Sequence, residues 1–290
     1  MNQGLRERGE TTTPRQRHRL ALRLGQALGV GMRMSIGAQH FSVDGRLKSA
    51  SKALVAGIDE AHLPKSVTIP DSTRLRQPDS GAALVVNSFA NWRRSLQLLR
   101  FAGETGFRDL RFDARCPTGI RGTPPLLDLI AGTENTVVAV TARCTEYLLT
   151  KPRSLASAYD RVRPTVALAP WLLVLARLRE DPARFKYVDA AGLLKHAVGL
   201  GQTFPNRQAT LAYLYWEPAD AREYLAFAEH RRELEELAAM VSSSSVRLFA
   251  QSFNELWAEW QALEEPAWLR GIVARLIERY SVAIAEPFGL

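Results

Sequence analysis

The chain has 290 residues, of which 46% are hydrophobic and 23% charged, a balance that excludes a mainly disordered polymer. Its length suits one large domain or two ordinary ones. The formal net charge is +8 and the sequence pI about 9.8. Arginine carries the excess, because lysine occurs only at Lys48, Lys52, Lys65, Lys151, Lys186 and Lys195. Arginine grips phosphate oxygens with a two-pronged fork, so this composition fits a polyanionic partner such as DNA or RNA. A solvated, arginine-biased surface accounts for the same number equally well. The two cysteines, Cys116 and Cys144, form no C-x-x-C pair. That argues against structural zinc and fits a reducing cytoplasm. The most apolar window, Val166 to Ala176, is shorter than the ~20 residues a membrane span takes. A cytoplasmic protein with no membrane partner is expected.

In chain order, residues Met1 to about Arg17 are polar and basic, with a break at Thr11-Thr12-Thr13-Pro14, and read as a flexible arm. Leu20, Leu22, Leu24, Leu28 and then Ala50, Ala53 and Leu54 predict a mostly helical stretch from His18 to Ala61, with a turn-rich middle from Ser35 to Gly45. Leu63 to Ser80 is punctuated by prolines and reads as a surface linker. A short apolar run follows at Ala83 to Val86, then helical spacing from Phe89 to Phe101. Phe107 to Ala114, Leu126 to Ala131 and Thr136 to Arg143 predict three strands, the last two joined by a hairpin at Gly132 to Asn135. Helices are expected over Trp171 to Arg179 and Val188 to Leu200, the second closed by Gly199 and Gly201. A strand over Thr210 to Trp216 precedes a long helix from Asp220 to Val241, whose charged face (Glu229, Arg231, Arg232, Glu233, Glu235, Glu236) reads as solvated. A strand at Val246 to Ala250 and two helices close the chain. Three hairpin-linked strands followed by helical crossovers predict an α/β protein with a mixed sheet and helices on both faces.

The stretch from Arg111 to Tyr147, RFDARCPTGIRGTPPLLDLIAGTENTVVAVTARCTEY, resembles a bacterial restriction endonuclease family of the PD-(D/E)XK nuclease superfamily, with a degenerate catalytic motif. Further stretches carrying the likeness are Ala82 to Asn87, Asp189 to Leu200, Leu211 to Pro218 and Gln251 to Trp260. The resemblance implies a restriction-endonuclease-like mixed sheet flanked by helices over 81–290. Residues 1–80 are expected to form a basic N-terminal arm and helical region outside it.

Such nucleases hydrolyse DNA phosphodiester bonds with a hydrated divalent cation, Mg²⁺ or Mn²⁺, held by carboxylates. The resemblance assigns Asp128 as the metal-binding Asp. The following Glu position is Thr141 and the Lys position is Arg143. A neutral hydroxyl is a poor ligand for a hard cation. Arginine keeps the positive charge but cannot serve as a base; it can still stabilise charge on phosphate. Other candidates are Glu146, Asp113 and Glu104, each with a supporting or surface role as the alternative. Lys195, beside His196 on the helix after the third strand, is a phosphate-contact candidate. Gly192 stands where relatives are expected to carry a larger polar residue. Without the resemblance, Asp128 amid Leu126, Leu127, Leu129 and Ile130 reads either as a ligand or as one half of an ion pair, with Arg143 the candidate partner.

Two functions therefore compete. The first is a metal-dependent endonuclease of a restriction or phage-defence system. The second is a pseudonuclease without a metal, acting as a nucleic-acid-binding or complex-forming subunit. A homodimer or a defence-complex partner fits either one.

Overall fold

The computed structural model describes residues 12–58, 63 and 73–284. The expected arm lies largely outside these residues. Where the chain is described, Thr13 caps helix α1 (Pro14–Ile36) in a reciprocal capping box with Gln16, and Pro14 occupies the first turn. The Thr-Thr-Pro break is thus a helix start, where the Thr13 and Gln16 backbone N–H groups find side-chain acceptors. Leu20, Leu24, Leu28 and Met32 recur every fourth residue and are buried.

Five strands form a mixed sheet in the order β1 (Asp109–Arg115), β2 (Leu126–Gly132), β3 (Thr136–Arg143), β4 (Gln208–Tyr215), β5 (Val246–Ser252). β1, β2 and β3 pair antiparallel. β3–β4 and β4–β5 pair parallel. β3 and β4 lie in the middle and are buried along nearly their whole length. That is why Val137-Val138-Ala139-Val140 shows an unbroken apolar run rather than alternation.

Among the described residues, six helices follow α1: α2 (Gly81–Phe89), α3 (Ala169–Glu180), α4 (Ala190–Thr203), α5 (Leu225–Met240), α6 (Phe253–Gln261) and α7 (Trp268–Tyr280). α3 and α4 connect β3 to β4, and α5 connects β4 to β5. One buried apolar cluster contains Leu20, Leu24 and Leu28 of α1 together with the sheet and the last two helices. Phe89, Trp92, Phe101 and Trp260 meet edge to face at 5.0–5.2 Å, tying α2 to α6.

The predicted strands and late helices are all present. Several finer expectations are corrected. The helical stretch from His18 to Ala61 is α1 followed by short 3-10 turns. The helix expected over Phe89 to Phe101 lies earlier, at Gly81–Phe89, and only 3-10 turns follow it. Ser80 decides this: its hydroxyl accepts the Ala83 N–H and starts the helix inside the apolar run. Gly199 and Gly201 do not end α4, which continues to Thr203. Gly199 serves close packing instead, since a Cβ there would lie 2.5 Å from the Cys116 carbonyl oxygen.

The charged face of α5 is not simply solvated. Glu233 is buried and accepts the backbone N–H groups of Lys186, Tyr187 and Val188 at 2.7–3.0 Å. Glu229 accepts the Tyr187 hydroxyl at 2.7 Å. Both carboxylates anchor the chain entering α4, which otherwise leaves its N–H groups without acceptors.

Candidate functional site

The site is built where β2 and β3 part. Their ladder runs from Gly132–Val137 to Leu129–Val140 and ends there. One step further, the Asp128 carboxylate replaces the backbone acceptor: its Oδ2 takes the Ala142 N–H at 2.8 Å. Continuing the register sets position 128 opposite Thr141, and Arg143 follows on the same face by strand alternation. Asp128, Thr141 and Arg143 therefore share one side of the sheet, as the resemblance requires.

Asp128 does not pair with Arg143. Its side chain is only 6% exposed. Arg74 Nη2 reaches Asp128 Oδ1 at 2.5 Å, and Arg74 Nη1 reaches Asp113 Oδ1 at 2.9 Å. The anticipated Asp128–Arg143 ion pair is thus replaced by a cation from the segment read as a surface linker. Its described part, residues 73–80, is fixed in place. Leu75 is buried in a second apolar cluster with Val86 and Ala90, and the Ser80 hydroxyl donates to the Arg74 carbonyl. Helix α2 begins against the end of β3, so closely that a Cβ at Gly81 would lie 2.9 Å from the Ala142 carbonyl oxygen. Asp113 stands across from Asp128, between the paired residues Phe112–Leu129 and Ala114–Leu127. It does so with φ of 52°, a conformation uncommon for a residue with a side chain.

Thr141 is 1% exposed, and its hydroxyl accepts Arg143 Nη1 at 3.0 Å. The same nitrogen donates to the Ala142 carbonyl at 2.7 Å. Burial works to lower the Arg143 pKa. The Tyr213 hydroxyl and the carboxylates of Glu146, Asp128 and Asp189 outweigh it, so the guanidinium is held more firmly charged than usual. Glu146 follows β3 in a 3-10 turn and accepts the Cys144 N–H at 2.5 Å. Desolvation raises its pKa, with the Arg143 charge acting the other way.

Tyr213 pairs with Thr141 across β3 and β4. Its hydroxyl meets His230 Nε2 at 3.2 Å. On α4, His196 is buried with Nδ1 unpartnered among the described residues. Desolvation, then the charges of Arg143 and Lys195, push its pKa down to about 3. It is a neutral imidazole at physiological pH. Lys195 is half-buried beside it, with no hydrogen bond or ion pair to any described residue. Gly192 N–H donates to Asp189 Oδ1 at 2.9 Å, and a Cβ at this glycine would lie 2.6 Å from that carboxylate's other oxygen. The capping aspartate thus takes the space a larger residue would need. Glu104 is elsewhere, at the start of β3, where it accepts the Thr136 hydroxyl at 3.0 Å. Cys116 and Cys144 are buried free thiols.

No family model, curated protein or solved structure matches this chain. Its chemistry must be judged from the donors themselves. Among the described residues, no group of three or more His, Cys, Asp and Glu side chains converges as a metal site. Asp128 has one oxygen on Arg74 and the other on a backbone N–H. Asp113 shares the same arginine, and Thr141 offers a hydroxyl already bonded to Arg143. A hydrated Mg²⁺ or Mn²⁺ needs free carboxylate oxygens and room for its waters. This arrangement, with a guanidinium seated between the two aspartates, does not fit one.

Sequence reasoning found Asp128, Thr141 and Arg143 but missed Arg74. No local signal marks it, since it sits in a polar, proline-flanked stretch far from the strands it serves. The one available clue was the isolated Asp in an apolar strand, which had to have a partner.

Proposed function

We propose that this chain is a pseudonuclease: a restriction-endonuclease-like scaffold that binds nucleic acid without the metal-dependent reaction. The observation that carries the reading is Arg74, whose guanidinium joins Asp128 and Asp113 where a catalytic cation would have to sit. Thr141 and Arg143 bond to each other instead of offering a carboxylate and a titratable amine. The +8 formal charge supplies the affinity for a phosphate backbone.

Incubating the full chain with supercoiled plasmid and Mg²⁺ or Mn²⁺ should leave the plasmid intact. Labelled duplex should bind, with an affinity that falls steeply as salt rises. Metal-dependent nicking that disappears in Asp128→Ala would instead establish an endonuclease and overturn this reading. Duplex binding that is absent, or indifferent to salt, would also overturn it. The triple change Arg74→Ala, Thr141→Glu and Arg143→Lys restores a carboxylate and an amine and frees Asp128. Mn²⁺ binding by calorimetry in that variant, absent from the native chain, is the expected result if the residual pocket keeps its geometry.

A further inference from the structure

Away from this site, the loop joining β1 to β2 faces the chain between β3 and α3 across a cleft of about 450 Å³. Arg121 lines one wall and Arg161 and Arg163 the other, with Gln202 at the end of α4. All three arginines are exposed. None has an ion-pair or hydrogen-bond partner among the described residues, and no carboxylate lines the cleft. The nearby Asp160 is taken by Arg179, at 3.2 Å, which also donates to the Leu155 and Ala156 carbonyls. That arginine pins the segment from behind. Val162, between the two cleft arginines, packs against the core. Across the cleft, Thr118 is buried, hydrogen bonds to Tyr159 and accepts the Ile120 N–H at 3.3 Å. Gly119, with φ of 68°, brings its backbone against Gln202, where a Cβ would lie 2.5 Å from Oε1. Both walls are therefore fixed to the body of the protein.

Like charges converge here at a cost that the fold does not offset internally. The C-terminus of α4 contributes roughly half a negative charge, which cannot neutralise three guanidinium groups. An external anion can, and the arginine fork matches a phosphate's oxygens.

We propose that this cleft is a phosphate-binding site that takes the sugar–phosphate backbone of a nucleic acid. The choice of polymer rests on the pseudonuclease reading; the phosphate chemistry does not. The test compares the native full chain with two triple variants. One is Arg121→Gln, Arg161→Gln and Arg163→Gln. The other, a control of equal charge, is Arg100→Gln, Arg222→Gln and Arg270→Gln at exposed positions elsewhere. Duplex and single-stranded oligonucleotides are titrated by anisotropy at several salt concentrations, and pyrophosphate by calorimetry.

The cleft triple should weaken oligonucleotide binding about tenfold or more and reduce the salt slope by about 2 to 3. The control should change affinity less than about threefold. Equal losses in both triples, or no loss in the cleft triple, overturn the site. If the native chain binds pyrophosphate through the cleft but no oligonucleotide, the phosphate site stands and the nucleic-acid reading falls. If it binds neither, both fall. Should the cleft triple melt early, lysines at the same three positions keep charge and bulk. They should still weaken pyrophosphate about threefold by losing the fork geometry, and no weakening there counts against the site.

Discussion

Arg74 and Arg143 on one side, and Arg121, Arg161 and Arg163 on the other, each add one unit to the formal charge but differ in what surrounds them. The first two are engaged by the protein's own groups, Arg143 largely buried and Arg74 43% exposed. Arg74 joins two aspartates, and Arg143 bonds to a threonine hydroxyl and a backbone carbonyl in the field of three carboxylates. The other three line an open cleft without partners among the described residues. Engaged arginines satisfy groups that folding would otherwise leave unpaired. Exposed, unpartnered ones repel each other until something anionic arrives. The difference teaches that a basic composition does not locate a binding surface. Only the arginines left over after the interior is satisfied are available to a ligand. Substitutions inside should therefore change stability and spare binding, and substitutions in the cleft should do the reverse.

The largest expected effect is that of Asp128→Ala. It leaves the Ala142 N–H without its acceptor and removes the buried carboxylate from Arg74. Breaking such a pair costs about 3–5 kcal/mol when both groups are buried. The Arg74 side chain is 43% exposed, and screening lowers the expectation to about 2–3 kcal/mol. Urea unfolding at neutral pH measures this directly, and oligonucleotide affinity of the folded fraction should stay within about twofold of native. A variant of native stability would show that Asp128 is not engaged inside, and would reopen it to a ligand.

Acidification tests the same interior more gently. His196 and His230 are buried, and desolvation pushes both down to about 3, with positive neighbours adding to the effect. In the unfolded chain they titrate near 6.5, the ordinary value of a solvated imidazole. Between those limits the unfolded state binds more protons, so stability is present above about pH 6.5 and is lost as pH falls. Each histidine removes at most about 1.4 kcal/mol per pH unit in that range. Glu146, Glu217 and Glu233, raised chiefly by burial, act in the opposite direction. From pH 7 to 5.5 a net loss of about 1–2 kcal/mol is expected. His196→Gln should reduce the slope by about half, and a profile unchanged by that substitution would place the His196 ring in contact with water.

How far the molecule could be read from its sequence follows the same division between inside and outside. The strands were legible because their apolar runs are bounded by turn residues. The predicted Thr136 to Arg143 strand is β3, residue for residue. Asp128 stood out because a charge within an apolar strand demands a partner. Arg74 did not, because its partner is 54 positions away and such a contact leaves no local pattern. Glu229 and Glu233 were misread for the opposite reason. Their neighbours on α5 are charged, so the helix face looked uniformly solvated, although three backbone N–H groups converge on Glu233. Helix α2 was displaced because Ala83 to Val86 is too short to separate helix from strand by periodicity, and the Ser80 cap was the overlooked signal. The cleft was invisible because Arg121 and Arg161 are 40 positions apart in the chain and meet only through the fold.

The smallest effect expected is that of Arg121→Gln alone, and it separates the two classes of arginine most cleanly. No carboxylate or carbonyl among the described residues depends on this side chain, so its loss leaves nothing buried and unpaired. Stability should stay within about 0.5 kcal/mol of native, the usual range for surface changes. Relief of repulsion from Arg161 and Arg163 would shift it toward greater stability rather than less. Oligonucleotide affinity should fall about threefold to fivefold uniformly across sequences, with the salt slope lower by about 1, as for a single phosphate contact. A melting temperature reduced by several degrees would assign Arg121 to the engaged class with Arg74. An unchanged salt slope would mean that its charge faces no phosphate, and the contrast between engaged and available arginines would then rest on Arg161 and Arg163 alone.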